Sequence, residues 1–357
     1  MKIVQVIPEF SMGGAETMCE NLTLALLRQG HDVTAVSLYH TETPITERLI
    51  FHNVRVLFFE KKLGFDVRLI FQLAEFFKKE KPDVVHTHLY TMKYVIPATV
   101  LAGVKTRVHT VHNVAEKEAT PQNQKLNSFF YHFFHVTAVA LSEEVKKSIE
   151  NVYRIPGQKI PIVFNGIDLS KCVVKQNYEI SNNSPRILHI GRFSEQKNHV
   201  GLLTAFQKVL EAYPDAILEL VGDGELRPEM EQLVVRLGIE NNVHFLGLQS
   251  VVSQFLHDAD IFILPSNYEG VPMTLIEAMG TGLPIIATCV GGVPDMLADG
   301  VSALLIRNDT DEIAESMKTL IGNEKMRRQL GYEARNRSVV FSSEIMAQKY
   351  IEIYAKR

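Results

Sequence analysis

The segment EGVPMTLIEAMG, residues 269 to 280, holds two glutamates eight positions apart with a glycine and a proline between them. Glu269 follows the apolar run IFILPS, which is typical of a buried strand, and Pro272 suits the first position of a helix. Glu277 then lies about a turn and a half into that helix. The free N–H groups at the helix start carry a partial positive charge. The arrangement suits a ligand with an anionic centre flanked by hydroxyl groups; a capped loop with a half-buried glutamate is the alternative.

Two cations lie in another segment, GRFSEQKNHVG, which also follows an apolar run. Arg192 and Lys197 occupy a loop before a helix that is expected to begin near Asn198. Two cations beside a helix N-terminus can hold a diphosphate. Arginine grips two oxygens at once, whereas lysine acts as a point charge. Solvated surface charges are the alternative, but their place at a strand end favours a diphosphate clamp.

Glycines mark three further strand ends. In SMGGAET, Gly13 and Gly14 lead directly into a helix, which lets a phosphate approach the backbone. The segment is not G-x-G-x-x-G, so a dinucleotide site is weakly supported. Gly222 in LVGDGE could let the backbone lie against a flat base, and the backbone of Leu246 and Gly247 could meet a base edge. Ordinary tight turns are the alternative at each position.

Four histidines follow two neighbouring predicted strands. His86 and His88 share one face of VVHTH, while His109 and His112 differ by an odd number and so point to opposite faces. Four histidines could bind a metal, but no acidic residue or cysteine accompanies them at ligand spacing. A hydrogen-bonding role is favoured, and the metal site stays an alternative. The DAD triplet at 258–260 precedes a strand and therefore lies away from the site.

The elements that must position these residues alternate along the chain. Short Val/Ile/Leu-rich runs, from KIVQVI at the start to IPIVFN at 160–165 in the first half, are predicted strands. Amphipathic helical stretches separate them, which predicts α/β domains with parallel sheets covered on both faces. We predict two Rossmann-like, doubly wound domains whose strand ends face a central cleft, since ligands bind at the carboxyl ends of such strands. The predicted boundaries are a first domain at 1–165, a linker at 166–185, a second domain at 186–340 and a C-terminal helix at 341–357. Apolar residues at helical spacing form one stripe on that helix, and the sequence leaves open which domain the stripe contacts.

Composition excludes several classes of protein. A chain of 357 residues is too long for one ordinary core. A net charge of −4 gives no reason to expect a nucleic-acid partner. The three cysteines are far apart and lack metal or redox spacing, which indicates a reducing, cytoplasmic environment. The longest apolar stretch is too short to cross a bilayer.

These motifs together resemble the retaining glycosyltransferases of family 4, which have the GT-B fold. The resemblance covers nearly the whole chain and rests on GGAE, TVHN, FNGID, GRFSEQKN, ADIFILPS and EGVPMTLIEAMG. It implies that the first domain binds an acceptor and the second a nucleotide-sugar donor. The implied reaction moves a sugar from a nucleotide diphosphate, most commonly UDP, to a glycan or lipid-linked saccharide with same-face attack. It implies no cofactor and no metal.

The resemblance also assigns roles. Arg192 and Lys197 would hold the diphosphate, Glu277 the ribose and Glu269 the donor sugar, while His112 would lie near the anomeric centre. The remaining donor-binding residues implied are Gly13, Gly14, Gly222, Leu246, Gly247, Gly270, Val271, Met273 and Thr274. Three alternative hypotheses about the function remain: a nucleotide-sugar epimerase, a metal-dependent hydrolase that uses the four histidines, and a non-catalytic binding protein.

An aromatic segment raises the question of a membrane. QKLNSFFYHFFHV places five aromatic residues within six positions, and they would cover every side of a helix. A helix buried between the sheet and a neighbouring element is one interpretation. The other is that part of this surface contacts lipid or a lipid-linked sugar, so that the protein is peripheral at the inner membrane face. Basic residues of the same domain could then attract anionic headgroups, namely Lys61, Lys62, Lys78, Lys79 and Lys81.

Overall fold

The computed structural model describes residues 1–11, 13–181 and 184–356 of the chain. The chain divides into two compact units. The first comprises Met1–Ile167 together with Ser342–Arg357, and the second comprises Asp168–Phe341. The second unit therefore includes residues for which the sequence predicted a linker. The C-terminal segment, whose partner the sequence left open, belongs to the first unit.

The described part of the first unit contains a six-stranded parallel sheet in the order β3-β2-β1-β4-β5-β6. Its strands are β1 (Lys2–Ile7), β2 (Asp32–Ser37), β3 (Arg55–Phe58), β4 (Val84–His88), β5 (Thr106–Val111) and β6 (Val136–Ala140). The predicted strand IPIVFN is wrong, because only Ile162 forms an isolated bridge, with Ala140. Pro161, which has no N–H group to donate to a ladder, precedes it.

The described part of the second unit repeats this arrangement in the order β12-β11-β10-β7-β8-β9, again with parallel pairs. Its strands are β7 (Arg186–Ile190), β8 (Ile217–Val221), β9 (Val243–Gly247), β10 (Ile261–Leu264), β11 (Ile285–Thr288) and β12 (Leu304–Ile306). The core of this unit includes buried side chains such as Phe206, Leu218 and Ile263.

Helices connect the strands and cover the sheets. They are α1 (Gly14–Arg28), α2 (Pro44–Phe51), α3 (Val67–Glu80), α4 (Met92–Ala102), α5 (Ala115–Glu118), α6 (Pro121–Phe133), α7 (Glu143–Tyr153), α8 (His199–Leu210), α9 (Arg227–Leu237), α10 (Ser253–Asp258), α11 (Met273–Thr281), α12 (Val293–Met296), α13 (Thr310–Gly322), α14 (Glu324–Ser338) and α15 (Ser343–Ala355).

The strand order determines where ligands can enter each unit. In the first sheet the order reverses between β1 and β4, and in the second between β7 and β10. The connections after two such neighbouring strands run to opposite sides of the sheet and leave a crevice at its carboxyl edge. The segments after β1, β7 and β10 carry most of the residues predicted to bind ligands.

The C-terminal helix α15 packs on α1. The Arg28 guanidinium lies 2.7 Å from a carboxylate oxygen of Glu344, and the Gln29 amide donates to the Glu344 carbonyl at 3.2 Å. Tyr350 and Tyr354 on α15 are fully buried. The apolar stripe predicted for the tail is thus covered by the first unit.

Candidate functional site

The loop after β7 is held in shape by a helix cap. Lys197 lies in a 3₁₀ turn formed by Glu195–Lys197, and α8 begins two residues later. Asn198 has a φ of 51° and its side-chain oxygen accepts from the Gly201 N–H at 3.1 Å. Asparagine tolerates this left-handed conformation better than most residues. The cap therefore fixes the position at which the Lys197 side chain leaves the backbone.

Two glycines let a second loop pack against this one. Gly222 has a φ of +137°, and a Cβ there would collide with the carbonyl oxygen of Gly191. Gly224 likewise lies against the backbone of Phe193. The Gly191 N–H donates to the Val221 carbonyl at 2.9 Å. Close packing against the Gly191 loop therefore explains why residue 222 is a glycine. The contact of Gly222 with a base stays a prediction.

We expect Gly222→Ala to be far more damaging than Gly238→Ala. Both glycines have positive φ, but a Cβ at Gly238 would meet open space. A left-handed alanine costs about 1–2 kcal/mol, whereas the collision at Gly222 adds about 1–3 kcal/mol of overpacking. Urea unfolding measures both free energies. Equal losses in the two variants would contradict the close packing of the 191 and 222 loops.

Glu269 and Lys197 form a buried ion pair. The Lys197 ammonium lies 2.6 Å from Glu269 Oε1, with side-chain exposures of 14% and 4%. The Ser266 hydroxyl donates to the same oxygen at 2.6 Å. The sequence assigned these two residues to different parts of a ligand and did not foresee their contact. Ser266, at the end of the IFILPS run, is a residue that sequence reasoning missed.

Arg192 lies in the same loop in a different environment. Its side chain is 74% exposed, and its guanidinium lies 3.0 Å from a carboxylate oxygen of Glu225. An exposed pair of this kind is weak and leaves the arginine available to another anion. Glu225 gave no signal in the sequence beyond its place after LVGDG.

Helix α11 begins at Met273, four residues after Glu269, and the N–H groups of its first turn have no partner within the helix. Pro272 is the N-cap, with φ −71° and ψ 123°, and not the first helical residue as the sequence predicted. Its extended ψ explains the difference, because a residue in the first turn would have a negative ψ. Val271 is buried and Gly270 half-buried. The Thr274 hydroxyl is buried without a hydrogen-bond partner among the described residues.

Glu277 is the fifth residue of α11 and is half-buried. Burial raises the pKa of its carboxyl to about 7. The Cys172 thiol lies nearby, and its own pKa is raised to about 12 by burial and, next, by the Glu277 charge. A hydrogen-bond donor that binds to Glu277 would favour its carboxylate form, so near pH 7 such binding would release a proton.

At the end of β9, two backbone carbonyls already have donors. The Gln249 amide donates to the Leu246 carbonyl at 2.8 Å, and the Gly222 N–H donates to the Gly247 carbonyl at 2.9 Å. Gly247 has a φ of +68°. The structure brings Gly222 and Gly247 together, as expected of neighbouring strand ends, while the contact of either residue with a base stays a prediction.

In the first unit, Gly13 caps α1 and Gly14 is its first residue. The Glu16 carboxylate lies against Gly13 and accepts from the Ser11 hydroxyl at 2.8 Å. Burial raises the pKa of this carboxyl. Sequence reasoning missed Glu16, which places an acidic group where a phosphate was expected to approach.

The four histidines are hydrogen-bonded and lie on two faces of the sheet. His88 Nδ1 is 3.0 Å from His112 Nε2, and His86 is on the same face. His109 Nδ1 instead contacts the Thr87 hydroxyl at 2.9 Å on the opposite face. Burial lowers the pKa of His112 to about 4. No group of three His, Cys, Asp or Glu residues within 1–11, 13–181 and 184–356 is arranged to hold a metal ion.

The acidic triplet at 258–260 lies at the amino edge of the second sheet. Asp260 precedes β10, and its carboxylate accepts from the backbone N–H of Arg186, the first residue of β7. The Asp260 carboxylate also lies 3.9 Å from the Lys175 ammonium. Asp260 thus serves the structure of its own unit.

Comparison with known proteins identifies the family. Residues 173–337 match the family described as glycosyl transferases group 1, and residues 12–171 match glycosyltransferase family 4. The chain belongs to these glycosyltransferases, as its motifs indicated. No helix in the described ranges is both long and apolar enough to cross a membrane.

Two relatives and one solved structure show the range of similar proteins. The chain is 28% identical to N-acetyl-alpha-D-glucosaminyl L-malate synthase of Bacillus anthracis, over 96% of this chain and 94% of the relative. It is 29% identical to UDP-Gal:alpha-D-GlcNAc-diphosphoundecaprenol alpha-1,3-galactosyltransferase of Escherichia coli, over 77% and 75%. HepE of Anabaena, crystallised with UDP and glucose, superposes with a TM-score of 0.85 at 19% identity over 100% of both chains. The predicted α/β GT-B fold is thereby confirmed.

Proposed function

We propose that this glycosyltransferase moves a sugar from UDP to a hydroxyl of a glycan or lipid-linked saccharide and retains the anomeric configuration. The observation that carries the proposal is the buried Lys197–Glu269 pair at the carboxyl end of β10, beside the start of α11. Buried charges at a strand end are typical of a ligand site. The names of the E. coli relative and of the HepE complex support UDP as the nucleotide.

The residues would divide the donor between them. Arg192 and Lys197 would bind the diphosphate, and Glu277 would accept from the ribose hydroxyls. Glu269 would accept from the hydroxyls of the sugar. The free N–H groups at the start of α11, including those of Met273 and Thr274, would share the diphosphate charge. As the bond to the sugar breaks, the departing diphosphate gains charge, and these groups would stabilise it.

Turnover is the test of this proposal. Thermal shift with UDP-, GDP- and ADP-sugars identifies the donor, because a ligand at 100 times its Kd stabilises the folded state by about 2.7 kcal/mol. Proton NMR of the product then gives the anomeric configuration, and retention is expected. An epimerase would alter the donor with no acceptor added; neither that alternative nor the hydrolase is supported by the comparisons. An inverted product would overturn the proposed mechanism.

We expect turnover to persist in EDTA. The proposed diphosphate site has two cations and a helix N-terminus, so it can meet the developing charge by itself. Rates are measured with EDTA and after addition of Mn²⁺ or Mg²⁺. Loss of turnover in EDTA that either ion restores would show that a metal takes part.

For the acceptor, we propose a shallow surface depression in the first unit. It is lined by Tyr90, Lys93, Glu118, Asn123 and Asn127, among others. The Lys93 ammonium lies 5.5 Å and 5.4 Å from the ring centres of Tyr90 and Tyr94. A cation beside neutral amide side chains suits a saccharide that carries a phosphate.

The membrane hypothesis is refined by the exposure of the side chains in α6. Phe130 is 4% exposed and belongs to the core, whereas Phe129 and Phe133 are 46% and 69% exposed. Lys61 is also buried, and its ammonium donates to the Lys62 and Gly64 carbonyls, so it is not available to headgroups. A contact with lipid would therefore use Phe129 and Phe133 rather than the whole aromatic cluster.

We expect Phe129→Ser/Phe133→Ser to reduce co-sedimentation with anionic liposomes at low salt. Exposed basic residues of this unit would contribute about 1 kcal/mol each near such a surface. Val235→Ser in the second unit, also at an exposed apolar position, is the matched control. Wild-type protein that stays in the supernatant, together with equal rates on soluble and lipid-linked acceptors, would refute membrane binding and leave the transferase proposal standing.

A further inference from the structure

His112 is joined to the interior of the first unit by a chain of hydrogen bonds. His112 Nε2 lies 3.0 Å from His88 Nδ1, and His88 Nε2 lies 2.9 Å from the side-chain oxygen of Gln5. Gln5 and His88 are fully buried. Water has no access to these groups, so their protons are set by their partners in the protein.

The chain continues to the C-terminal helix. The Gln5 amide nitrogen donates to the Tyr354 hydroxyl at 3.4 Å, and that hydroxyl lies 2.7 Å from His86 Nδ1. His86 Nε2 lies 2.8 Å from the Thr110 hydroxyl, which lies 2.6 Å from the Tyr350 hydroxyl. Two residues of α15 thus belong to a network that ends at His112.

Gln5 sets the direction of the protons. A carboxamide has an oxygen that only accepts and a nitrogen that only donates, whereas a hydroxyl can do both. Because the Gln5 oxygen faces His88, the proton of His88 is on Nε2. In neutral His88 the other nitrogen, Nδ1, must then accept, so its partner His112 Nε2 must donate. The remaining nitrogen of His112, Nδ1, is left with a free lone pair.

We infer that Gln5, His88 and Tyr354 are positioning residues that hold His112 as the neutral tautomer protonated on Nε2. His112 then presents Nδ1 to substrate as a hydrogen-bond acceptor, suited to a sugar hydroxyl and unsuited to an anionic phosphate oxygen. The role of His112 toward substrate rests on the proposed function; its tautomer does not. Burial lowers the pKa of His86, His88 and His112 alike, which keeps the chain neutral.

The inference is tested first on the free protein with ¹⁵N-labelled histidine. In wild type, a ¹H–¹⁵N correlation spectrum is expected to show a protonated Nε2 and an unprotonated Nδ1 for His112 at neutral pH. In Gln5→Met the two tautomers are expected to mix. Tyr354→Phe keeps Gln5 and His88 but removes the hydroxyl that orients the Gln5 amide, so a smaller change in the His112 tautomer populations is expected, in the same direction. If Gln5→Met does not fold, Tyr354→Phe serves as the test variant in its place.

Kinetics separate positioning from a merely structural role. Gln5→Met is expected to lower kcat at least tenfold while the Kd for UDP changes less than twofold, since the proposed nucleotide ligands are in the second unit. Tyr131→Phe is the control, because Tyr131 is a buried tyrosine of the first unit whose hydroxyl has no partner among the described residues. Loss of this hydroxyl is expected to leave the His112 tautomer and kcat unchanged. A wild-type His112 protonated on Nδ1, or a Gln5→Met protein with an unchanged His112 spectrum, would overturn the inference. Absence of UDP binding in wild type would instead refute the proposed function.

Discussion

Replacing Lys197 by methionine is expected to lower kcat/KM at least 100-fold and the free energy of unfolding by about 3 kcal/mol. Removing one member of a buried ion pair leaves the other charge without a partner, which costs about 3–5 kcal/mol. Here the Glu269 carboxylate would be left, 4% exposed, with the Ser266 hydroxyl at 2.6 Å and the Gln196 amide at 3.4 Å as its remaining donors. The same ammonium would face the diphosphate in the proposed reaction, and 100-fold in rate corresponds to about 2.7 kcal/mol.

Two further variants separate stability from catalysis. Lys197→Met/Glu269→Gln removes both charges, so it is expected to recover stability relative to Lys197→Met but not activity. Arg192→Ala is expected to unfold like wild type, because exposed pairs contribute about 0.2–1 kcal/mol, yet to lose at least tenfold in kcat/KM. Steady-state kinetics and urea unfolding measure these quantities. If Lys197→Met and Arg192→Ala both keep activity near the wild-type value, the diphosphate assignment is wrong.

UDP is expected to bind about tenfold more tightly at pH 8 than at pH 6 because of Glu277. Its pKa in the free protein is raised to about 7 by burial. Accepting from ribose hydroxyls favours the carboxylate, so binding requires loss of the proton. The observed affinity is proportional to the fraction of protein in which Glu277 is deprotonated. It therefore rises as pH approaches 7 and levels off above it. Isothermal titration in buffers of different ionisation enthalpy counts the proton released.

The same pKa shift has the opposite effect on the free protein. A carboxyl whose folded-state pKa is raised binds its proton more tightly when folded, so its contribution to stability is full below the ordinary pKa of 4.5 and is lost as pH rises through about 7. Glu277→Gln removes both this dependence and the protein's share of the pH effect on UDP binding. What remains in Glu277→Gln reports the ionisation of UDP itself.

Glu269→Gln is the matched variant for Glu277→Gln, because its proposed partner is the sugar and not the ribose. It is expected to lower kcat for transfer while the Kd for free UDP stays close to wild type. If the two variants weaken UDP binding equally, and the wild-type affinity does not change between pH 6 and pH 8, the separate roles of the two glutamates are refuted.

The sequence determined the elements and the edge at which the site residues lie. Alternation of apolar runs with amphipathic helices is a local property, so the parallel strands followed from it, apart from IPIVFN, where Pro161 limits pairing. A residue just after a parallel strand lies at the carboxyl edge of its sheet. For this reason the strand-end positions of Arg192, Glu269 and His112 were predictable from spacing alone.

Tertiary structure alone decided which side chains are partners. Lys197 and Glu269 are 72 residues apart, and His86 and Tyr354 are 268 apart. Such contacts depend on the order of strands within a sheet and on where a distant helix packs, which local periodicity does not encode. Burial was equally hidden: it raises the pKa of Glu277 and lowers that of His112, and it depends on the whole unit closing around each group. The types of the site residues could be identified from the sequence, whereas their protonation states could be inferred only from the folded structure.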